Sequence, residues 1–220
     1  MKTLFKSILV CVSIAQTSQA AIINASSHPN LSGLAGDIFV INAVGDRLAT
    51  GFAGLGGFGI TDAAVDNFVT TSDFTSLVAN FTSFIGSDNF VTGTTNAFAT
   101  VAGAFTISVD PFDPSANIGQ TLYSFIGNGT SLSDSTEFAL FRHTQKLAAD
   151  PAAPALPTEY QLDLVNGSLL IGSPTTIVTS DANLGITDAT VDAIQLTAVP
   201  EPSALLLSAL GALALLRRKR

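Results

Sequence analysis

The feature that most narrows the possible folds is the punctuation of residues 37–197, where short apolar runs alternate with clusters of Thr, Ser, Gly, Asn and Asp. Such clusters end strands and make turns, so the spacing predicts many short strands. Asp37–Val44 (DIFVINAV) is almost continuously apolar, as a strand buried on both faces would be. Ala97–Val109 (AFATVAGAFTISV) alternates instead: Val101, Phe105, Ile107 and Val109 fall on one face, with Thr100, Thr106 and Ser108 on the other. Leu122–Ile126, Glu137–Arg142, Leu169–Ile171, Thr176–Thr179 and Val191–Thr197 are further short strands. The expected fold class is mainly β, a β-sandwich or jelly-roll-like domain.

One stretch departs from the pattern. In Ser72–Ile85, Phe74, Leu77, Val78, Phe81 and Ile85 recur at helical spacing, behind Ser72 as N-cap and Asp73 in the first turn. Thr61–Val65 predicts another short helix, so a small helical insert near residues 61–85 packs its Phe stripe on the sheet. Ala148–Thr158 carries three prolines and is read as an extended loop. The roughly 40 residues between that loop and the tail are too few for a second core without disulfides, so one domain over residues 21–198 is expected.

Residues 1–20 have the form of an export signal peptide. Lys2 and Lys6 precede the apolar Ile8–Ala15, and Ser18-Gln19-Ala20 satisfies the small-x-small rule for cleavage between Ala20 and Ala21. The single cysteine, Cys11, lies in that segment. The mature body then has no thiol, hence no disulfide, thiolate metal site or cysteine nucleophile. About 175 residues suffice for an apolar core that replaces cross-links. Residues 21–202 hold only three bases, Arg47, Arg142 and Lys146, against all 17 acids, a net charge of −14. That balance repels nucleic acid and anionic lipid. With 15 Phe, 2 Tyr and no Trp, the body also lacks the indole platform that sugar-binding faces favour.

The search for chemistry finds motifs without their contexts. Gly54-Leu55-Gly56-Gly57-Phe58-Gly59 matches G-x-G-x-x-G, but no strand–loop–helix–strand unit with a terminal acid follows, and a flexible turn between β segments is expected. His28 falls in a loop and His143 on a solvated rim beside Arg142 and Lys146. Neither belongs to a zinc spacing, and no G-x-S-x-G elbow is present. Asp110/Asp113, Asp134/Glu137 and Glu159/Asp163 are the paired carboxylates available to a hydrolase, each read as a solvated loop. The triplets at Asn24, Asn30, Asn80, Asn128 and Asn166 are what this composition produces. Gly59–Asp66 (GITDAAVD) and Gly185–Asp192 (GITDATVD) agree at seven of eight positions. Two Asp residues four apart can share a helix face and hold a cation. The flanks diverge at once, helical after the first copy and strand-like after the second, so coincidence is the reading. No cofactor, metal or catalytic residue is expected.

The tail is more specific. Ser203–Leu216 is 14 residues without a charge, followed by Arg217, Arg218, Lys219 and Arg220. As a helix it spans about 21 Å, short of a roughly 30 Å hydrocarbon core. The basic cluster reads as a cytoplasmic stop. Val199-Pro200-Glu201-Pro202-Ser203, the short apolar helix and the basic cluster together resemble the PEP-CTERM sorting signal of bacterial exported proteins, over about 22 residues. The resemblance implies a partner, the membrane-embedded exosortase, which processes the chain near Val199, Pro200, Glu201 and Pro202. It also implies transient membrane insertion and a destination at the cell surface or in an exopolysaccharide or biofilm matrix. The expectation is a non-enzymatic structural or adhesive protein; a polysaccharide-binding module is the alternative, and a secreted hydrolase ranks third.

Overall fold

The computed structural model describes residues 21–27, 36–84, 101–149 and 156–199. In chain order their elements are β1 (Ala21–Ser26), β2 (Ile38–Ile41), β3 (Phe52–Phe58), α1 (Asp62–Thr70), α2 (Phe74–Asn80), β4 (Phe81–Ser83) and β5 (Thr106–Phe112). Then follow β6 (Thr121–Gly127), β7 (Glu137–Lys146), β8 (Glu159–Gln161), β9 (Ser168–Ile171), β10 (Ser173–Asp181), β11 (Ile186–Gln195) and β12 (Thr197–Ala198). The chain is mainly β with a small helical pair, as its punctuation predicts. Residues 1–20, read from sequence as an export signal, and residues 200–220 lie outside the described residues.

The strands form three sheets. The largest runs β12-β7-β6-β3-β4, with β9 also on β7; the others run β5-β1-β8 and β10-β11-β2. Most pairs are antiparallel, but β1 pairs β8 and β2 pairs β11 in parallel. In the largest sheet, β3 is buried at all seven positions and β6 at six of its seven. Leu122, Tyr123, Phe125 and Ile126 are therefore apolar on both faces of β6, the signature of a strand covered on both sides. One apolar cluster joins β1, β3, β5, β6, β7 and β8, while Phe39, Ile41, Val101, Ile186, Val191 and Ala193 form a smaller one around β2 and β11.

Several expectations need correction. The Gly54–Gly59 stretch is no turn: Gly54, Gly56 and Gly57 lie within β3. Glycine is used there because a Cβ on Gly56 would sit inside contact distance of the Thr82 carbonyl oxygen, and one on Gly54 would meet Phe52 at 2.7 Å. The helix expected over 72–85 is α2, capped by Asp73 rather than Ser72, and it stops at Asn80. Ser72 instead takes a left-handed φ of 55° between the helices. Phe81 leaves the helix because its ring packs edge-on against Phe58 and Phe125, both at 5.4 Å, which turns the chain into β4. The long strand expected over 97–109 begins only at Thr106. Gly103, at φ 83°, donates to the Leu48 carbonyl and accepts from the Val40 amide, which breaks the extended path. Residues 97–100 and Ile85 lie outside the described residues.

Candidate functional site

The tail is the one part of the sequence with a readable role, so the place where it leaves the body is the first candidate site. Thr197 and Ala198 form β12, paired with Phe138 and Glu137 at the start of β7. Val199 then donates its N–H to the Thr136 carbonyl at 2.8 Å and packs on the apolar cluster. Beside it runs an open groove of about 460 Å³, lined by Phe74, Val78, Leu132, Phe138 and Val199. Phe74 of α2 stacks on Phe138 at 6.1 Å, so the helical insert builds one wall of the tail root. Pro200, Glu201 and Pro202 follow with no linker, and three residues can reach at most about 10 Å. Of the tail residues singled out in the sequence, Val199 is placed against the body; Pro200–Pro202 and Arg217–Arg220 lie outside the described residues. At the other end Ala21 opens β1, fully buried, whereas Ala20 is outside them.

A second constellation joins α1 to the largest sheet. Thr61 caps α1, its hydroxyl accepting from the Ala64 amide, which sets Asp62 and Asp66 one turn apart. Asp62 accepts from Tyr123 Oη at 2.7 Å and from Thr121 at 3.0 Å. Arg142 donates from Nε to Tyr123 Oη at 3.0 Å and from Nη2 to Asp66 at 2.6 Å. The cation held by Asp66 is thus the chain's own guanidinium, which Asp62 reaches through the Tyr123 hydroxyl. Burial would raise the Asp62 pKa, but the Tyr123 and Thr121 hydrogen bonds and the Arg142 charge leave it below its ordinary value. Burial, then the Asp62 bond, push the Tyr123 phenol well above its usual range. The network locks the insert to β6 and β7, and within it the Tyr123 phenol is held from giving up its proton near neutrality. Tyr123→Phe deletes two of these bonds while keeping the ring. Its expected cost is about 1–2 kcal/mol in urea unfolding, with no change in secondary structure. An unchanged midpoint would contradict this account of the network.

His143 corrects another expectation. It is only 3% exposed, not on a rim, because β7 continues past Arg142 to Lys146 and turns alternate residues inward. Its Nε2 lies 2.7 Å from Ser124 Oγ, itself 1% exposed. A serine–histidine pair suggests a nucleophile and its base, but both are sealed in the core. Burial alone lowers the imidazole pKa to about 4, whereas a partnering carboxylate would act in the opposite direction. The bond satisfies a buried polar pair.

The paired carboxylates go to separate structural partners. Asp113 accepts from the Ser115 amide and Asp134 from Ser131 Oγ. Glu137 accepts from the Ala43 amide at 2.8 Å, and Glu159 from Asn24 Nδ2 at 3.0 Å. Asp163 is buried rather than solvated; that burial raises its pKa, and the Ser26 N–H moderates the rise. The side chain of Asp110 and all of His28 and Asn30 lie outside the described residues. The amides of Asn80 and Asn128 also bond within the chain, to the Ser76 carbonyl and to Thr136, and Asn166 lies in a short 3-10 turn. Among the described residues no group of three His, Asp or Glu gathers, and no helix is long and apolar enough to cross a membrane.

What fold and site define is a mainly β body with a C-terminal sorting extension rooted directly in its sheet. Residues 198–220 match the family model of the PEP-CTERM protein-sorting motif, in agreement with the resemblance carried by Val199–Ser203 and the basic end. No curated protein and no solved structure matches the chain. The motif implies export across the membrane, processing by exosortase and sorting to the cell surface. Its first matched residue, Ala198, is a strand residue of the body. Thr136 and Phe138 are not legible from sequence as the partners of this root, because a two-residue strand carries no periodicity.

Proposed function

We propose that the protein is a structural or adhesive component of the cell surface and its exopolysaccharide or biofilm matrix. It carries no catalytic activity of its own, and its tail inserts only transiently in the membrane. The observation that carries the reading is the sorting motif joined to the body at Ala198–Val199 without a linker. A body bound so closely to its address is delivered whole. The chemistry-bearing side chains support a non-enzymatic role, since Ser124 and His143 are sealed, Asp62 is taken up by Tyr123 and Thr121, and Asp66 is paired with Arg142. A sandwich-like arrangement accounts for the apolar cluster shared by the β1 sheet and the largest sheet.

The test is the mass and location of the native protein. Protein from surface or matrix fractions is expected to lack Arg217–Arg220 and the preceding apolar run, and its gene deletion to weaken matrix cohesion without stopping polysaccharide synthesis. Full-length chain held stably in the inner membrane would instead indicate a permanent anchor. Tight binding to purified exopolysaccharide would shift the reading toward a polysaccharide-binding module.

A further inference from the structure

We propose that the outer edge of β10 is a contact surface for a second copy of this chain, the two β10 strands pairing antiparallel about Val178. The other exposed strand edges among the described residues are short or interrupted. At the margins of their sheets, β4 and β8 have three residues each, β9 has four and β12 has two, while β5 contains Asp110 and Pro111. The free side of β2 is taken by backbone bonds to Ser27 and Gly103. Short edges, charges and prolines are the usual defences against edge-to-edge pairing. β10 is nine residues long and has no charge from Ser173 to Ser180, in a body of strongly acidic balance. Val178 is 70% exposed.

The direction of its backbone groups follows from its neighbours. Leu196 donates its N–H to Ile41 of β2, so residues of the same parity on β11, Ile194 and Asp192, also turn their backbone groups toward β2. Their partners across β11 are Pro174 and Thr176, with Val178 opposite Thr190. These residues are then the non-hydrogen-bonded positions of the β10–β11 pair, and their backbone groups point to the open edge. Pro174, which has no N–H to give, is in keeping with such a position.

A two-fold about Val178 sets Val178 opposite itself and Thr176 opposite Ser180, with about six backbone hydrogen bonds. In that register Pro174 falls opposite Ala182, beyond the strand, and its missing donor costs nothing. Asp181 falls opposite Thr175, and it is already paired with Arg47 at 2.9 Å, so no two carboxylates meet. Another copy is the occupant that fits, because this uncharged, β-branched edge is complementary to itself. The overall negative charge of each copy opposes association, so salt strengthens the contact by screening. The contact belongs to the body and goes beyond the matrix role: cross-linking can fail while tail processing and location come out as expected.

Site-specific cross-linking tests it. Cys11 is the single cysteine, so the full-length chain in mild detergent can carry C11S with either V178C or T190C. Facing Cα atoms at this pair lie roughly 5.5 Å apart, within disulfide reach. Thr190 is exposed on the same face but one strand inward. Mild oxidation is expected to trap V178C as a dimer and leave T190C monomeric. Association through the apolar tail would not discriminate, and equal cross-linking at both positions overturns the proposal. V178D, which places two carboxylates face to face, is expected to sediment as a monomer at concentrations where the unmodified chain shows dimer, with the same circular dichroism. Dimer formation unaffected by V178D, or an unmodified chain that is monomeric throughout, also overturns it.

Discussion

Gly56→Val is expected to lower the unfolding free energy by about 3 kcal/mol, the upper end of overpacking costs. The added Cβ alone falls inside contact distance of the Thr82 carbonyl oxygen and 2.6 Å from the Phe81 ring. Neither neighbour can yield cheaply. Thr82 is held in β4 by its register with Gly57, and Phe81 is wedged among Phe58 and Phe125. The strand pair must separate or the ring must leave the cluster. Urea unfolding of the exported protein, monitored by near-ultraviolet circular dichroism, measures the loss. Gly59→Val supplies the control, since nothing lies within 4 Å of a Cβ there. If the two variants unfold alike, the steric account of β3 is wrong.

The second large effect is a loss of stability in mild acid that depends on His143. In the unfolded chain the imidazole takes up its proton near pH 6.5; in the folded chain burial postpones this to about pH 4. Between those values the unfolded state binds more protons. The His143 contribution is therefore complete above pH 6.5 and is lost progressively as the pH falls toward 4. Over the whole window the loss is roughly 3 kcal/mol. Asp163 acts oppositely: burial raises its carboxyl pKa, so it favours the folded state as the pH falls toward its unfolded value. Comparison with His143→Gln isolates the histidine, because Asp163 is common to both proteins. The difference in urea midpoints between wild type and variant should change steadily from pH 7 to pH 4.5. A difference independent of pH would show that His143 does not titrate as its burial requires.

The strands that sequence makes legible are those whose own residues pay for burial. Leu122–Ile126 and Glu137–Arg142 are apolar enough to announce β6 and β7; Thr176–Thr179, by contrast, announces the largely exposed β10 through its β-branched residues. What stays hidden depends on partners distant in sequence. Gly54, Gly56 and Gly57 read as a turn until the Phe81 ring and β4 are laid against them. His143 reads as surface because Arg142 and Lys146 flank it, while strand alternation turns it inward. The octapeptide pair makes the point most directly. GITDAAVD begins α1, with Thr61 as its cap, whereas GITDATVD continues into β11, with Gly185 and Asp188 both at positive φ. In the first copy Asp62 meets Tyr123; in the second Asp188 receives the Ser180 hydroxyl. Seven shared residues thus adopt two backbones because different neighbours satisfy them. At the tail the motif was legible in full, while its seat on Thr136 and Phe138 was not.

The two parallel pairs have a consequence for the timing of folding. β1 meets β8, with Asn24 bonded to Glu159 across 135 residues, and Gln195 of β11 reaches back 152 residues to Ala43, just past β2. Such closures give a high contact order, and chains of that kind fold in milliseconds to seconds rather than microseconds. A chain threaded through a membrane from its N-terminal side delivers β1 first; β5 can cover one of its edges, but the other stays unpaired until β8 emerges. The start of β7 waits longer still, for Thr197 and Ala198, the second of which is the first residue of the sorting motif. The sheet is thereby completed only when the last residues before the tail become available.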